Sequence, residues 1–112
     1  MEIKDIKAVY FVGAGGIGMS AIARYFIHKG IVVAGYDKTP SELTHQLERE
    51  GVILHYKESV EDIPHACRKP ESCLVIYTPA IPADHKELVY FRDNGFTIEK
   101  RAQVLGTLTR TH

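Results

Sequence analysis

Gly13-Ala14-Gly15-Gly16-Ile17-Gly18 sets glycines at the spacing G-x-G-x-x-G, after the apolar run Ala8–Val12 and before an amphipathic stretch. The chemistry that needs bare backbone at this spacing is the binding of a nucleotide's diphosphate. Gly13 permits a tight turn, Gly15 lets main chain approach the phosphates, and Gly18 lets a helix pack close to a strand. Free N–H groups at the helix start, with the dipole behind them, then favour negative charge. Asp37 follows about twenty residues on, where a carboxylate accepts hydrogen bonds from ribose hydroxyls. Beside Thr39 it also reads as a plain solvated cap.

A second stretch, Thr78-Pro79-Ala80-Ile81-Pro82, follows the apolar run Leu74–Tyr77. Ligands of open parallel sheets sit beyond the strand C-termini, where the strand order reverses. With strands ordered 3-2-1-4-5, the glycine loop and this loop form the two lips of that crevice. Two prolines also make a stiff connector whatever its task.

Other groups carry less. Cys67 and Cys73 have a C-x5-C spacing unlike a zinc knuckle and lack a fourth ligand, so they read as filler. The six histidines are scattered without HxxxH pairing and read as surface residues. There is no GxxxxGK[ST] phosphate loop, and no Ser/His/Asp or Cys/His arrangement supports nucleophilic catalysis. Fourteen basic and fourteen acidic residues cancel, so no global field gathers nucleic acid or an anionic membrane. No run approaches the roughly 20 apolar residues of a membrane span. The start, MEIKDIKAVYF, lacks a signal-peptide pattern. A cytoplasmic chain with reduced thiols is the expectation.

The elements that must position these loops follow from periodicity. Short apolar runs at Ala8–Val12, Ile31–Ala34, Val52–Leu54, Leu74–Tyr77 and Phe96–Ile98 lack polar alternation, as in strands buried on both faces. Between them, Ile17–Lys29 forms a helix with Ala21, Ile22, Tyr25 and Phe26 as its inward stripe, stopped by Gly30. In Thr39-Pro40-Ser41-Glu42, Thr39 reads as N-cap, Pro40 as first helical residue and Glu42 as the capping-box partner, with Leu43 and Leu47 inward. Ser59 reads as the cap of a short turn through Val60 and Ile63, ended by Pro64. Asp84 reads as the cap of a helix with Leu88 and Phe91, ending at Asn94-Gly95, and a last helical run spans Ala102 to about Thr109. The fold class is α/β: a Rossmann-like, doubly wound sheet of about five parallel strands in one domain over residues 1–112.

In order and spacing, FVGAGGIGMSAIA, AGYD, TPAIP and EKRAQVL resemble the N-terminal domain of the UDP-N-acetylmuramate–L-alanine ligases, within the Mur ligase family of peptidoglycan synthesis. The resemblance covers essentially the whole chain, and GxGGxGMSxxA is its most specific part. It implies a Rossmann-like module that binds the UDP moiety of UDP-N-acetylmuramate. It also implies partner domains in the same protein: a central ATPase domain that binds ATP and Mg²⁺, and a C-terminal domain that binds the amino acid. No cofactor belongs to the N-terminal domain itself. Carried over by position, Gly13, Ala14, Gly15, Gly16, Ile17, Gly18, Met19 and Ser20 form the diphosphate loop. Asp37 becomes the nucleoside contact, and Thr78, Ala80 and Ile81 the fourth-strand contacts. Arg101 matches a basic position after the fifth strand, although Lys100-Arg101 also reads as a solvated pair. Many relatives have Gly-His-Ser after the third strand; here Lys57-Glu58-Ser59 stands, so a histidine contact does not carry over to Glu58.

Two other readings share the fold. An NAD-binding domain of a dehydrogenase or channel-regulatory protein uses the same ribose and pyrophosphate recognition. A nucleotide-free interaction domain would keep the glycines for packing alone.

Overall fold

Five strands form one all-parallel sheet in the order β3-β2-β1-β4-β5. They are β1 (Ala8–Val12), β2 (Val32–Tyr36), β3 (Ile53–His55), β4 (Cys73–Tyr77) and β5 (Thr97–Lys100). The computed structural model describes residues 5–15 and 18–100. The expected order holds, and every expected strand is present. β2 and β5 each run two residues further toward their C-termini than their apolar runs suggested, because ladder pairing continues through Tyr36 and Lys100.

Among the described residues, three α-helices lie between the strands: α1 (Met19–His28), α2 (Glu42–Arg49) and α3 (Lys86–Asp93). In α1 the buried stripe is Met19, Ile22, Ala23 and Phe26. Ala21, expected inward, is exposed, and Ala23, two residues along, is buried in its place.

Two expected caps are corrected. The N-cap of α2 is Ser41, whose side chain accepts from the Thr44 N–H while the Ser41 N–H donates to Thr44 Oγ1 at 2.8 Å. Thr39 cannot serve, because its N–H is turned onto the Asp37 carboxylate at 3.0 Å and the helix starts only at Glu42. Thr44, not Glu42, closes the box and is fully buried, while Leu43 is half-buried and Leu47 wholly so. For α3 the N-cap is His85, not Asp84: its Nδ1 accepts the Glu87 N–H at 3.2 Å. Ser59 does precede a 3-10 turn (Val60–Asp62), but its side chain makes no capping bond; its N–H donates to Glu87 Oε2 at 2.9 Å.

The sheet separates two cores. On one face, α1 and α2 press Ile22, Phe26 and Leu47 against Val9, Phe11, Val33 and Ile76. On the other, α3 and two 3-10 turns bring Ile63, Cys67, Phe91 and Phe96 onto Tyr10, Val12, Ala34 and Val75. Strand β1 is buried along its whole length because both neighbours and both faces cover it. Burying one such large side chain contributes about 1.5–3 kcal/mol. Cys67 and Cys73 are free thiols within the second core. The run from Ala102 and the residues Gly16, Ile17 and Arg101 lie outside the described residues.

Candidate functional site

The crossover from β1 to α1 and that from β4 to α3 leave on opposite faces, so the sheet's switch point lies between β1 and β4. The glycine loop stands on one side of it. Gly13 has φ +98°, a conformation that favours glycine. A Cβ there would sit 3.0 Å from Thr78 Oγ1 and 3.5 Å from Ile81 Cδ1. Thr78 and Ile81 therefore meet the glycine loop across the switch point. Thr78 is buried, Ile81 half-buried and Ala80 exposed, within a turn closed by the Ile81 N–H donating to the Thr78 carbonyl at 3.1 Å.

The loop spends its first donors internally. Gly13 and Ala14 N–H groups both donate to the Tyr36 carbonyl, at 2.8 and 2.9 Å. The Gly15 N–H donates to Asp37 Oδ2, and the other carboxylate oxygen takes the Thr39 N–H. Asp37 thus fastens the loop to the entrance of α2. Each of its oxygens keeps a second lone pair, so a ribose hydroxyl contact remains compatible with this arrangement. What the loop leaves open is the first turn of α1. Its N-cap is Gly18, at φ +80°, with no side-chain cap and no acid in the first turn. Those N–H groups have no helical partner and carry the positive end of the dipole. Met19 and Ala14 are core residues, so they offer backbone only, while Ser20 is half-buried.

The second core holds a polar network that sequence reading missed. Glu87 is fully buried, and its carboxylate accepts from the Tyr10 hydroxyl and the Ser59 N–H and pairs with His55 Nε2 at 2.8 Å. Burial first, and then the Glu87 carboxylate, push the Tyr10 phenol far above its ordinary range. Tyr36 is also raised, by burial ahead of the carboxylates of Glu58, Glu87 and Asp37. His55 and His85 were expected at the surface; His55 is half-buried and His85 only 5% exposed. Nothing local betrays the cluster, since Tyr10 and Glu87 are 77 residues apart. Interaction between the Cys67 and Cys73 thiols lowers Cys67 and raises Cys73, with burial adding to the latter.

A cavity of about 460 Å³ opens beside the Thr78 lip, lined by Tyr77, Ile81, Leu88, Arg92 and Phe96 among others. It lies on the α3 face and touches the glycine loop's surroundings only through Ile81. Among the described residues no group of three His, Cys, Asp or Glu is arranged to hold a metal ion. No helix among them is long and apolar enough to cross a membrane.

Comparison with known proteins bears on these loops. The family model described as "Mur ligase family, catalytic domain" matches residues 8–112. A UDP-N-acetylmuramate–L-alanine ligase of Phocaeicola vulgatus is 61% identical over 109 residues, covering 97% of this chain and 24% of the relative. The same enzyme of Parabacteroides distasonis is 56% identical over 111 residues, covering 99% of this chain and 24% of the relative. The crystal structure of the corresponding Thermotoga maritima ligase superposes with a TM-score of 0.79 at 34% identity, over 92% of this chain and 23% of that one. The chain therefore spans about a quarter of the length of the relatives it matches.

Proposed function

The chain belongs to the Mur ligase family, and from that premise we propose that it is the N-terminal UDP-binding domain of a UDP-N-acetylmuramate–L-alanine ligase. The observation that carries the reading is the meeting of the glycine loop with Thr78 and Ile81 at the switch point. In this reading the diphosphate lies at the N-terminus of α1, held by the loop Gly13, Ala14, Gly15, Gly16, Ile17, Gly18, Met19 and Ser20 as assigned by sequence position. Asp37 braces the loop and faces the ribose. Thr78, Ala80 and Ile81 form the opposing lip, and Arg101 supplies a cation beyond β5.

ATP and Mg²⁺ do not fit this part of the protein. The sequence has no lysine-bearing phosphate loop, and no described cluster suits a metal. They belong with a central ATPase domain, and the alanine with a C-terminal domain, of a longer cytoplasmic chain that works in peptidoglycan synthesis. This domain's share is to hold the UDP end of the substrate while the muramyl carboxylate reacts elsewhere.

The test is a calorimetric titration of the 112-residue chain with UDP-N-acetylmuramate, UDP and NAD. Both uridine ligands are expected to bind and NAD to bind much more weakly. Saturable NAD binding with no response to either uridine ligand would overturn the assignment.

A further inference from the structure

The stretch Lys57-Glu58-Ser59 and the first turn of α3 hold each other from both sides. Glu58 Oε2 accepts the Lys86 N–H at 2.6 Å, and the Ser59 N–H donates to Glu87 Oε2 at 2.9 Å. A helix start leaves its first N–H groups without intrahelical partners, and a side chain just upstream ordinarily meets one of them. His85 Nδ1 meets the Glu87 N–H in that way, whereas the Lys86 N–H is met by a carboxylate 28 residues earlier in the chain.

The helix held in this way begins where the Thr78 lip ends. The Ile81 N–H closes a turn onto the Thr78 carbonyl, and the His85 N–H closes the next onto the Pro82 carbonyl, both at 3.1 Å. Lip and helix start are therefore one run of consecutive turns, pinned at its far end by Glu58. Glu87 adds bonds to Tyr10 of β1 and to His55 of β3, the latter at 2.8 Å. Strand β1 runs on into Gly13, the residue on which Thr78 and Ile81 close. Both lips of the cleft thus stand on one hydrogen-bonded frame.

We propose that Glu58 is a positioning residue for the nucleotide cleft: by capping α3 from outside its own segment, it fixes where the Thr78–Pro82 lip faces the glycine loop. This rests on the UDP-binding reading above. Glu58 spends its carboxylate on the protein and touches no nucleotide atom, so its effect reaches the ligand only through α3 and the lip. A carboxylate suits the task, because an ionised acceptor makes the stronger bond to a backbone N–H and faces the positive end of the helix dipole. Its side chain is 37% exposed, so truncating it opens no void in either core.

The experiment compares UDP titrations of the 112-residue chain with those of Glu58→Ala, Glu58→Gln and Lys86→Pro. Lys86→Pro deletes the N–H that Glu58 accepts and leaves Glu58 intact. Proline suits the first helical position, and His85 before it already has the extended ψ of 129° that a following proline requires. Glu58→Ala and Lys86→Pro are each expected to weaken UDP binding about fivefold or more. Combined, they should cost no more than either alone, because both break the same bond. Glu58→Gln, whose amide oxygen still accepts the Lys86 N–H, should recover most of the affinity. Undiminished UDP binding by a folded Lys86→Pro chain would overturn the proposal. Loss confined to the Glu58 variants would then mean that this side chain meets the nucleotide itself, and no loss in any variant that the clasp serves stability alone. In the unmodified chain, UDP should slow hydrogen exchange of the Lys86 N–H, since the coupling is reciprocal. An unchanged rate with UDP bound would overturn the proposal without any variant having to fold. Failure of the unmodified chain to bind UDP would instead remove the UDP-binding reading itself, and this proposal with it.

Discussion

The Asp37 carboxylate accepts the Gly15 N–H, so the acid at the end of β2 and the middle glycine of the loop form one unit. A Cβ on Gly15 would run into Asp37 Oδ2, well inside contact distance, and lie 3.4 Å from Thr44 Cγ2. Gly15 does not have the positive φ of Gly13, so an ordinary residue is tolerated by its backbone. Gly15→Val is therefore expected to fold, to displace the Asp37 side chain and to lose UDP binding. Circular dichroism checks the fold and titration checks the ligand; unchanged binding in a folded variant would place the diphosphate elsewhere.

Asp37→Ala removes the acceptor of both the Gly15 and the Thr39 N–H groups. The cost in stability is expected to be about 1–3 kcal/mol, as for lost hydrogen bonds to a charged group. UDP affinity should fall further than that of free pyrophosphate, because ribose recognition goes with the carboxylate. Urea melts and paired titrations measure the two effects separately.

Glu87 is a fully buried carboxylate satisfied by Tyr10, His55 and the Ser59 N–H. Glu87→Ala removes the carboxylate that Tyr10, His55 and the Ser59 N–H share in this core and should destabilise the fold by about 3–5 kcal/mol. Glu87→Gln keeps one acceptor oxygen and should cost less, on the order of 1–3 kcal/mol. Equal urea midpoints for wild type and Glu87→Ala would show the network to be energetically idle.

Tyr10 supplies a pH dependence of known sign. In the unfolded chain its phenol ionises near 10, whereas the folded protein keeps it protonated far above that value. The unfolded state then binds fewer protons above pH 10, so stability is fully present below that pH and falls as pH rises. The expected slope is about 1.4 kcal/mol per pH unit, with Tyr36 adding in the same direction. Denaturant melts at pH 9 and pH 11 measure it, and the difference should shrink in Tyr10→Phe.

Given ATP, Mg²⁺, L-alanine and UDP-N-acetylmuramate, the 112-residue chain should release no phosphate above background. Its sequence has no GxxxxGK[ST] loop of the kind that holds ATP phosphates. Phosphate release above a no-protein control would refute this division of labour.

Much of the fold was legible because its signals are local. An unbroken apolar run such as Ala8–Val12 needs no partner to be read as a buried strand, and β1 occupies those residues. The glycine spacing likewise announces a tight loop, and Gly13 and Gly18 do take positive φ. Caps were less legible, because several polar residues near a helix start compete for the role. Ser41 won over Thr39 once Asp37 had taken the Thr39 N–H, a bond that depends on where β2 ends. Burial of polar groups was not legible at all. Glu87, His85 and Tyr10 look like ordinary helix, loop and strand residues until packing removes water from them.

By itself the amino-acid sequence determined the alternation of strands and helices and the place of the glycine loop between β1 and α1, while the strand order it only assumed is the one the sheet adopts. Backbone sterics and apolar periodicity act over a few residues, and right-handed parallel crossovers then leave few topologies. Only the tertiary structure decided that Thr78 and Ile81 close on Gly13, that Asp37 fastens Gly15, and that Glu87 gathers Tyr10, His55 and the Ser59 N–H. Each of those relations joins residues from separate parts of the fold. Their distances are set by how two cores pack against one sheet, a sum over many contacts that no single stretch of sequence encodes.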